Sequence, residues 1–173
     1  MSNTLRILAK MRKAEVPPHA HEHSLNSLGQ HRAGAMVSGR TFNLGDGSLC
    51  SYLVTENERK GAHNPALVVS VIAKEMVLVG VNALYTTLPA LLQATKDEAS
   101  ADLPSPGGYI LVGDLGDNID SLSEYDWLSV QSLMLRFLSR GGGLVLGVRG
   151  SALGNFCDDM TNAFEAFDPL QVE

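Results

Sequence analysis

The sequence has little of several things, and each shortage narrows what the chain is. Two cysteines, Cys50 and Cys157, among 173 residues exclude a disulfide framework. They fit a reducing, cytoplasmic setting with two small buried thiols. No apolar run reaches the ~18–20 residues of a membrane span. Met1–Lys13 lacks the continuous apolar stretch and small-residue cleavage site of a secretory signal. Charged residues make up only 18% of the chain against 45% apolar, which excludes wholesale disorder and supplies a real core. At this length the expectation is one domain, or one domain plus a tail.

Positive charge is scarce everywhere except at the start. Residues 1–40 carry six basic side chains against two acidic ones, a net of +4. Residues 41–173 carry seven against seventeen, a net of −10, which gives the overall −6. A body at −10 argues against broad nucleic-acid binding by the core. Any nucleic-acid contact is expected through residues 1–40.

Leu5, Leu8 and Met11 fall at spacing three among basic residues, so residues 4–15 read as a short basic helix that Pro17-Pro18 stops. From Pro17 to Arg40 the chain is rich in His, Ser, Gly and Gln with little periodicity, and it reads as an extended linker lying over a body or becoming ordered with a partner. The division expected is therefore a leader, 1–40, and an α/β core, 41–173.

In the core, residues 49–55 (LCSYLVT) read as a first strand and residues 56–64 as a polar loop. Residues 65–79 (PALVVSVIAKEMVLV) read as a helix with Asn64 as cap and Pro65 in its first turn. The β-branched Val68, Val69, Val71 and Ile72 keep a strand open for its first half. A strand at 81–86, a helix at 88–97, and a third strand at 109–114 (YILVGD) follow, the last apolar enough to be buried on both faces. Residues 124–139 form a strongly amphipathic helix that Gly141-Gly142-Gly143 ends. Strand 144–148, a helix at 155–167 and a short strand at 170–172 complete the run. Strands alternating with helices imply a parallel sheet of about five strands with helices on both faces, preceded by a basic helical leader.

Ligands of such sheets bind beyond the carboxyl ends of the strands. The loop after the first strand is where a phosphate loop of pattern G-x-x-x-x-G-K-[ST] would stand. Here it reads Thr55-Glu56-Asn57-Glu58-Arg59-Lys60-Gly61-Ala62-His63-Asn64. It has one glycine, its lysine precedes that glycine, no Ser or Thr follows, and Glu56 and Glu58 would repel a triphosphate. If a nucleotide and magnesium bind, Arg59, Lys60 and Gly61 are the candidates for the phosphates and Asp114, at the end of YILVGD, for the metal. The solvated polar loop is the simpler reading. His19, His21 and His23 form H-A-H-E-H, which in an extended segment would turn three imidazoles the same way and could hold a metal ion. A plain polar linker is the commoner meaning of such a run. Neither Cys157, beside Asp158-Asp159, nor Ser151, in R-G-S-A-L-G, has the setting of a nucleophile.

Taken together, residues 49–173 resemble the core of the AAA+ ATPases in the helicase-loader and insertion-sequence ATP-binding-protein family. SYLVT stands where the first strand meets the phosphate loop. VIAKEMVLVGVNALYTTLPALLQATKDE is similar to the passage of helix, strand and -LPxLL- helix. YILVGDLGD resembles the Walker B strand with Asp114 in the acid position, and GLVLGV the strand that ends in a polar sensor. The resemblance implies a P-loop NTPase-like fold of RecA/AAA+ type, ATP–Mg as the cofactor, and a surface by which subunits pack side by side or grip a partner. The departures are the phosphate loop, Leu115 where the catalytic glutamate would follow, and Val148-Arg149 in place of a clear sensor. A core lacking those parts is not expected to hydrolyse ATP efficiently. Three functions follow. The first is a degenerate ATPase-like assembly module pairing with an ATPase, a helicase or copies of itself. The second is a nucleotide-binding ATPase with an unusual loop. The third is a metal- or small-ligand-binding α/β protein.

Overall fold

The computed structural model describes residues 3–39, 49–56, 64–96, 103–104, 107–115, 119–148 and 150–172. Helix α1 (Asn3–Lys13) leads through a 3-10 turn (Pro18–Glu22) to α2 (His31–Gly39). The core then runs β1 (Tyr52–Thr55), α3 (Pro65–Leu78), β2 (Ala83–Thr86), α4 (Leu88–Lys96), β3 (Tyr109–Leu115), α5 (Glu124–Ser139), β4 (Gly143–Val148), α6 (Asp158–Phe164) and β5 (Asp168–Gln171). The strands form one parallel sheet in the order β2-β3-β4-β1-β5. The strand alternative for 65–79 loses: Asn64 Oδ1 accepts the amide of Ala66 at 2.8 Å and starts a helix instead.

Alternating side chains sort the core into two layers. Tyr109 and Leu111 of β3, Val145 of β4 and Tyr52 and Val54 of β1 face a cluster that contains α3. Ile110 and Val112, and Leu144, Leu146 and Val148, face a cluster built from α4, α5 and α6. Right-handed crossovers explain the split. The β1→β2 connection runs across the sheet in one direction and carries α3 over one face. The other three connections run the opposite way and carry α4, α5 and α6 over the other face.

The sheet covers only one side of the crossover helix α3, and here the leader covers another. Met11, Ala14, Val16, Ala20, Leu25, Leu28, Ala33, Met36 and Val37 are all buried in the same cluster as α3. Residues 17–39 lie over the body, one of the two expectations, but they are not extended: they coil into a 3-10 turn, further turns and α2, packed on α3. Three polar residues of α3 hold it there. Ser70 Oγ lies 3.3 Å from Nε2 of His19, the Lys74 ammonium donates to the carbonyl of His23, and Glu75 Oε1 accepts the Leu25 amide at 2.8 Å. The ordering of a Ser-, Gly- and His-rich strap is offset by those bonds and by its few fully buried apolar residues.

Both edges of the sheet are protected. The Tyr85 amide of edge strand β2 donates to the carbonyl of Ala14, just after α1. The opposite edge strand, β5, carries Pro169, which has no N–H to offer, and Asp168, paired with Arg32. At the amino-terminal edge the Tyr109 hydroxyl donates to the Cys50 carbonyl at 2.7 Å. Burial pushes the phenols of Tyr52 and Tyr109 well up from their ordinary value, and the neighbouring Cys50 acts in the same direction. No helix among the described residues is long and apolar enough to cross a membrane.

Helices α1, α3 and α5 end in the same pair of backbone bonds, from the second residue past the end back by three and from the third back by five. For α3 and α5 the turning residue is Gly80 (φ 89°) or Gly141 (φ 80°), but for α1 it is Glu15 at φ 54°. A left-handed glutamate is strained where glycine is not, so Glu15→Gly should raise stability by about 0.5–1 kcal/mol, read from urea unfolding midpoints. Leu25→Ala, in contrast, removes a fully buried side chain from the strap and should cost about 2–4 kcal/mol in the same assay. A cost below about 0.5 kcal/mol would mean the strap is not part of the core.

Candidate functional site

The sheet's connections diverge between neighbouring strands β1 and β4, one leaving into α3 and the other towards α6. The carboxyl ends of these strands are thus the place where this topology opens a crevice for ligands. The described residues at that edge are Thr55 and Glu56 after β1, Asp114 and Leu115 closing β3, Val148 closing β4, and Asn64-Pro65 opening α3. Arg59, Lys60 and Gly61 lie outside the described residues, as do Glu58, Asp117 and Arg149.

Asp114 is the last but one residue of β3. Val112 pairs with Leu146 and Leu115 with Val148, so β3 holds one residue more than β4 over that span. The bulge falls on Gly113-Asp114, and bulges of this kind gather near functional sites. Two glycines make the crossing possible. A Cβ on Gly113 would lie 2.4 Å from the Tyr85 hydroxyl oxygen, and one on Gly147 would lie 2.9 Å from the Gly113 carbonyl oxygen and 3.1 Å from Val69 Cγ2. Sequence reasoning missed this bulge. The signal was present as a lone glycine inside an otherwise apolar strand.

The start of α3 decides what this edge can offer an anion. A helix N-terminus attracts phosphate through the amides of its first turn. Here Pro65 has no amide hydrogen, the Ala66 amide donates to Asn64 Oδ1, and the amides of Leu67 and Val68 donate to the Asn64 carbonyl at 3.0 and 3.2 Å. The first turn is satisfied by its own cap. The amides of Ala66, Leu67 and Val68 are thus already engaged, while the loop ahead of them, residues 57–63, lies outside the described residues.

The far layer is fixed by a separate set of contacts. Trp127, Phe156, Phe164 and Phe167 stack edge to face in sequence, with centroids 5.1, 4.8 and 5.3 Å apart. The Trp127 indole donates to the Asn155 carbonyl at 2.6 Å, and buried Gln131 accepts the Cys157 amide at 2.7 Å. These bonds place the 3-10 turn Gly150–Asn155, which follows β4 at the candidate edge.

The three histidines are not aligned as an extended segment would align them. His19 and His21 sit in the 3-10 turn, where residues two apart leave the axis in different directions, and His23 follows it. His19 is near Ser70, and the His23 carbonyl receives Lys74. Among the described residues no group of three His, Cys, Asp or Glu is placed to hold a metal ion. A cavity of about 500 Å³, lined by Lys10, Lys13, Val77, Asn82, Leu84 and Leu103 among others, lies instead at the β2 side, away from the carboxyl edge.

No protein-family profile matches the chain, and no curated protein matches it significantly. Solved structures do match in fold. The AMPPCP-bound DnaA of Aquifex aeolicus has a TM-score of 0.60 at 13% identity, over 91% of this chain and 51% of that one. The replication initiator DnaA bound to AMPPCP and single-stranded DNA has a TM-score of 0.57 at 14% identity, over 91% and 51%. A RuvB variant from Thermotoga maritima has a TM-score of 0.51 at 16% identity, over 87% and 47%. The chain thus spans about half the length of these neighbours.

The Asn64 cap is separable from the fold by mutation. Asn64→Ala should lower stability by about 1 kcal/mol, and Asn64→Gly by only a few tenths, measured by thermal or urea unfolding. Equal costs for the two would mean the side-chain bond contributes nothing.

Proposed function

We propose that this chain uses its five-stranded α/β fold, the fold of the AAA+ P-loop NTPases, as an assembly and protein-binding module, an ATPase-like subunit that does not hydrolyse ATP, in a DNA-processing complex. One observation carries the reading: the first turn of α3, where a phosphate loop would deliver its anion, spends its amides on Asn64 and presents a proline. The sequence of the preceding loop supports it, since it contains Glu56 and Glu58 and no Lys-Thr pair. Glu56 and Glu58 repel a triphosphate and cancel the attraction of Arg59 and Lys60, so the loop's charge gives it no net pull on the phosphates. The basic leader bears on the partner. Its helix α1 is part of the folded body, so it presents its cations from a fixed surface.

The second reading is a nucleotide-binding subunit with an unusual loop, Arg59 and Lys60 on the phosphates and Asp114 on the magnesium. Structural neighbours solved with AMPPCP favour it. A thermal-shift titration separates the two. The expected outcome for the assembly module is no shift in Tm with ATP–Mg at about millimolar concentration, in the native chain or in Lys60→Ala and Asp114→Ala. A saturable shift that disappears in Lys60→Ala, together with phosphate release that disappears in Asp114→Ala, would establish the second reading.

A further inference from the structure

The cavity of about 500 Å³ beside edge strand β2 lies at the amino end of that strand, the opposite end of the sheet from the candidate edge. Its volume falls within the range of small-molecule sites, roughly 300–1,000 Å³. Four pieces of chain wall it: the end of α1, the end of α3, the start of β2 and the stretch before β3. Val77, Val81, Leu84 and Leu103 give it an apolar lining. Close packing fixes the wall on the β3 side. A Cβ on Gly108 would lie 2.6 Å from Pro104 Cβ and 2.9 Å from the Asn82 carbonyl oxygen, so only glycine lets Pro104 and Asn82 sit where they do.

The polar lining favours an anion. Lys10 and Lys13 stand three apart on α1 and so share one helix face. Neither has an ion-pair partner among the described residues, and no described acid lines the cavity. The backbone adds a third donor. The Tyr85 amide points away from β3 and bonds the Ala14 carbonyl. Strand alternation turns the Ala83 amide the same way, and no turn, loop or cap bond among the described residues engages it. Ala83 is only 6% exposed and lines the cavity, so an acceptor placed there would answer a buried N–H. The carbonyls that end α1 and α3 are taken up by their terminal backbone bonds, and two full positive charges outweigh the remaining helix-end dipoles.

We infer that this cavity binds a small organic carboxylate with an apolar body, its head held by Lys10, Lys13 and the Ala83 amide and its body laid against Val77, Leu84 and Leu103. Two carboxylate oxygens match two ammonium groups and one amide. Phosphate sites gather several backbone amides. Here the amides of Gly80 and Val81 are spent on the carbonyls of Val77 and Met76, and that of Ala83 remains. A purely polar anion would leave the apolar walls unused, and a neutral apolar molecule would leave the cations unanswered. The bound carboxylate joins α1 to the edge strand beside the bond between Ala14 and Tyr85, so it also strengthens the docking of the leader. Neither result of the nucleotide titration bears on this site, because the cavity lies away from Asp114 and from the start of α3.

The test is isothermal titration calorimetry of the full chain with two carboxylates, naphthaleneacetate and octanoate. Naphthaleneacetamide keeps the aromatic body without the charge, and acetate keeps the head without the body. At least one of the two carboxylates should bind saturably at a single site with Kd of about 0.1–1 mM. The amide and acetate should bind at least about ten-fold more weakly. Lys10→Gln with Lys13→Gln should weaken binding about ten-fold or more, whereas Arg6→Gln with Arg12→Gln, which takes equal charge from α1 outside the lining, should leave it unchanged. All four side chains are exposed, so neither double variant should unfold the chain, which circular dichroism checks. Leu103→Ala should weaken binding several-fold, and Asp114→Ala should not change it. Hydrogen exchange gives a local readout: the bound carboxylate should slow the Tyr85 amide. Saturation by neither carboxylate up to about 10 mM, equal binding of the neutral amide, or equal losses in the lysine and arginine variants would each overturn the inference.

Discussion

Helix α3 is buried over most of its surface, and the rest of the structure answers that constraint. Ten of its fourteen residues are buried, including Val68, Val69, Val71, Ile72 and Met76. A helix of this kind is stable only when covered all round. The sheet covers one side. The crossover rule sends α4, α5 and α6 to the opposite face, so no other core helix can cover the outer side. The leader does so, which makes a segment with little hydrophobic pattern an integral part of the body.

The polar residues of α3 specify how the leader docks. Burying apolar surface is non-directional, and it would allow the strap to slide. Ser70, Lys74 and Glu75 remove that freedom by engaging His19, the His23 carbonyl and the Leu25 amide. Lys74 is buried, and its hydrogen bond to a carbonyl is what makes that burial tolerable. The same docking carries α1 to the edge strand, where the Ala14 carbonyl meets the Tyr85 amide, and fixes the basic face of α1 relative to the sheet.

The start of the same helix shapes the candidate site. Pro65 and the Asn64 cap give α3 a sharp, self-satisfied beginning at the point where related folds present amides to phosphate. Helix initiation and anion binding compete for the same N–H groups, and here initiation has taken them. The bulge at Gly113-Asp114 and the close approach of Gly147 to Gly113 give the carboxyl edge a distinct shape all the same.

The sequence by itself determined the alternation of strands and helices, and therefore the parallel sheet. Each element advertises itself locally: YILVGD by an unbroken apolar run, 124–139 by its helical period, and α3 by Asn64-Pro65 at its head. It also showed that the loop after β1 lacks the residues of a phosphate loop. Three things depended on tertiary structure. The strand order needs the handedness of crossovers, which no window of sequence contains. The bulge needs β4 as the ruler against which β3 is one residue too long. Whether the leader lay over the body or awaited a partner stayed open because Ala20, Leu25, Leu28, Ala33 and Val37 are small or scattered and carry no long period. They are buried because α3 needs a cover, and that need arises only once the sheet has claimed its other side.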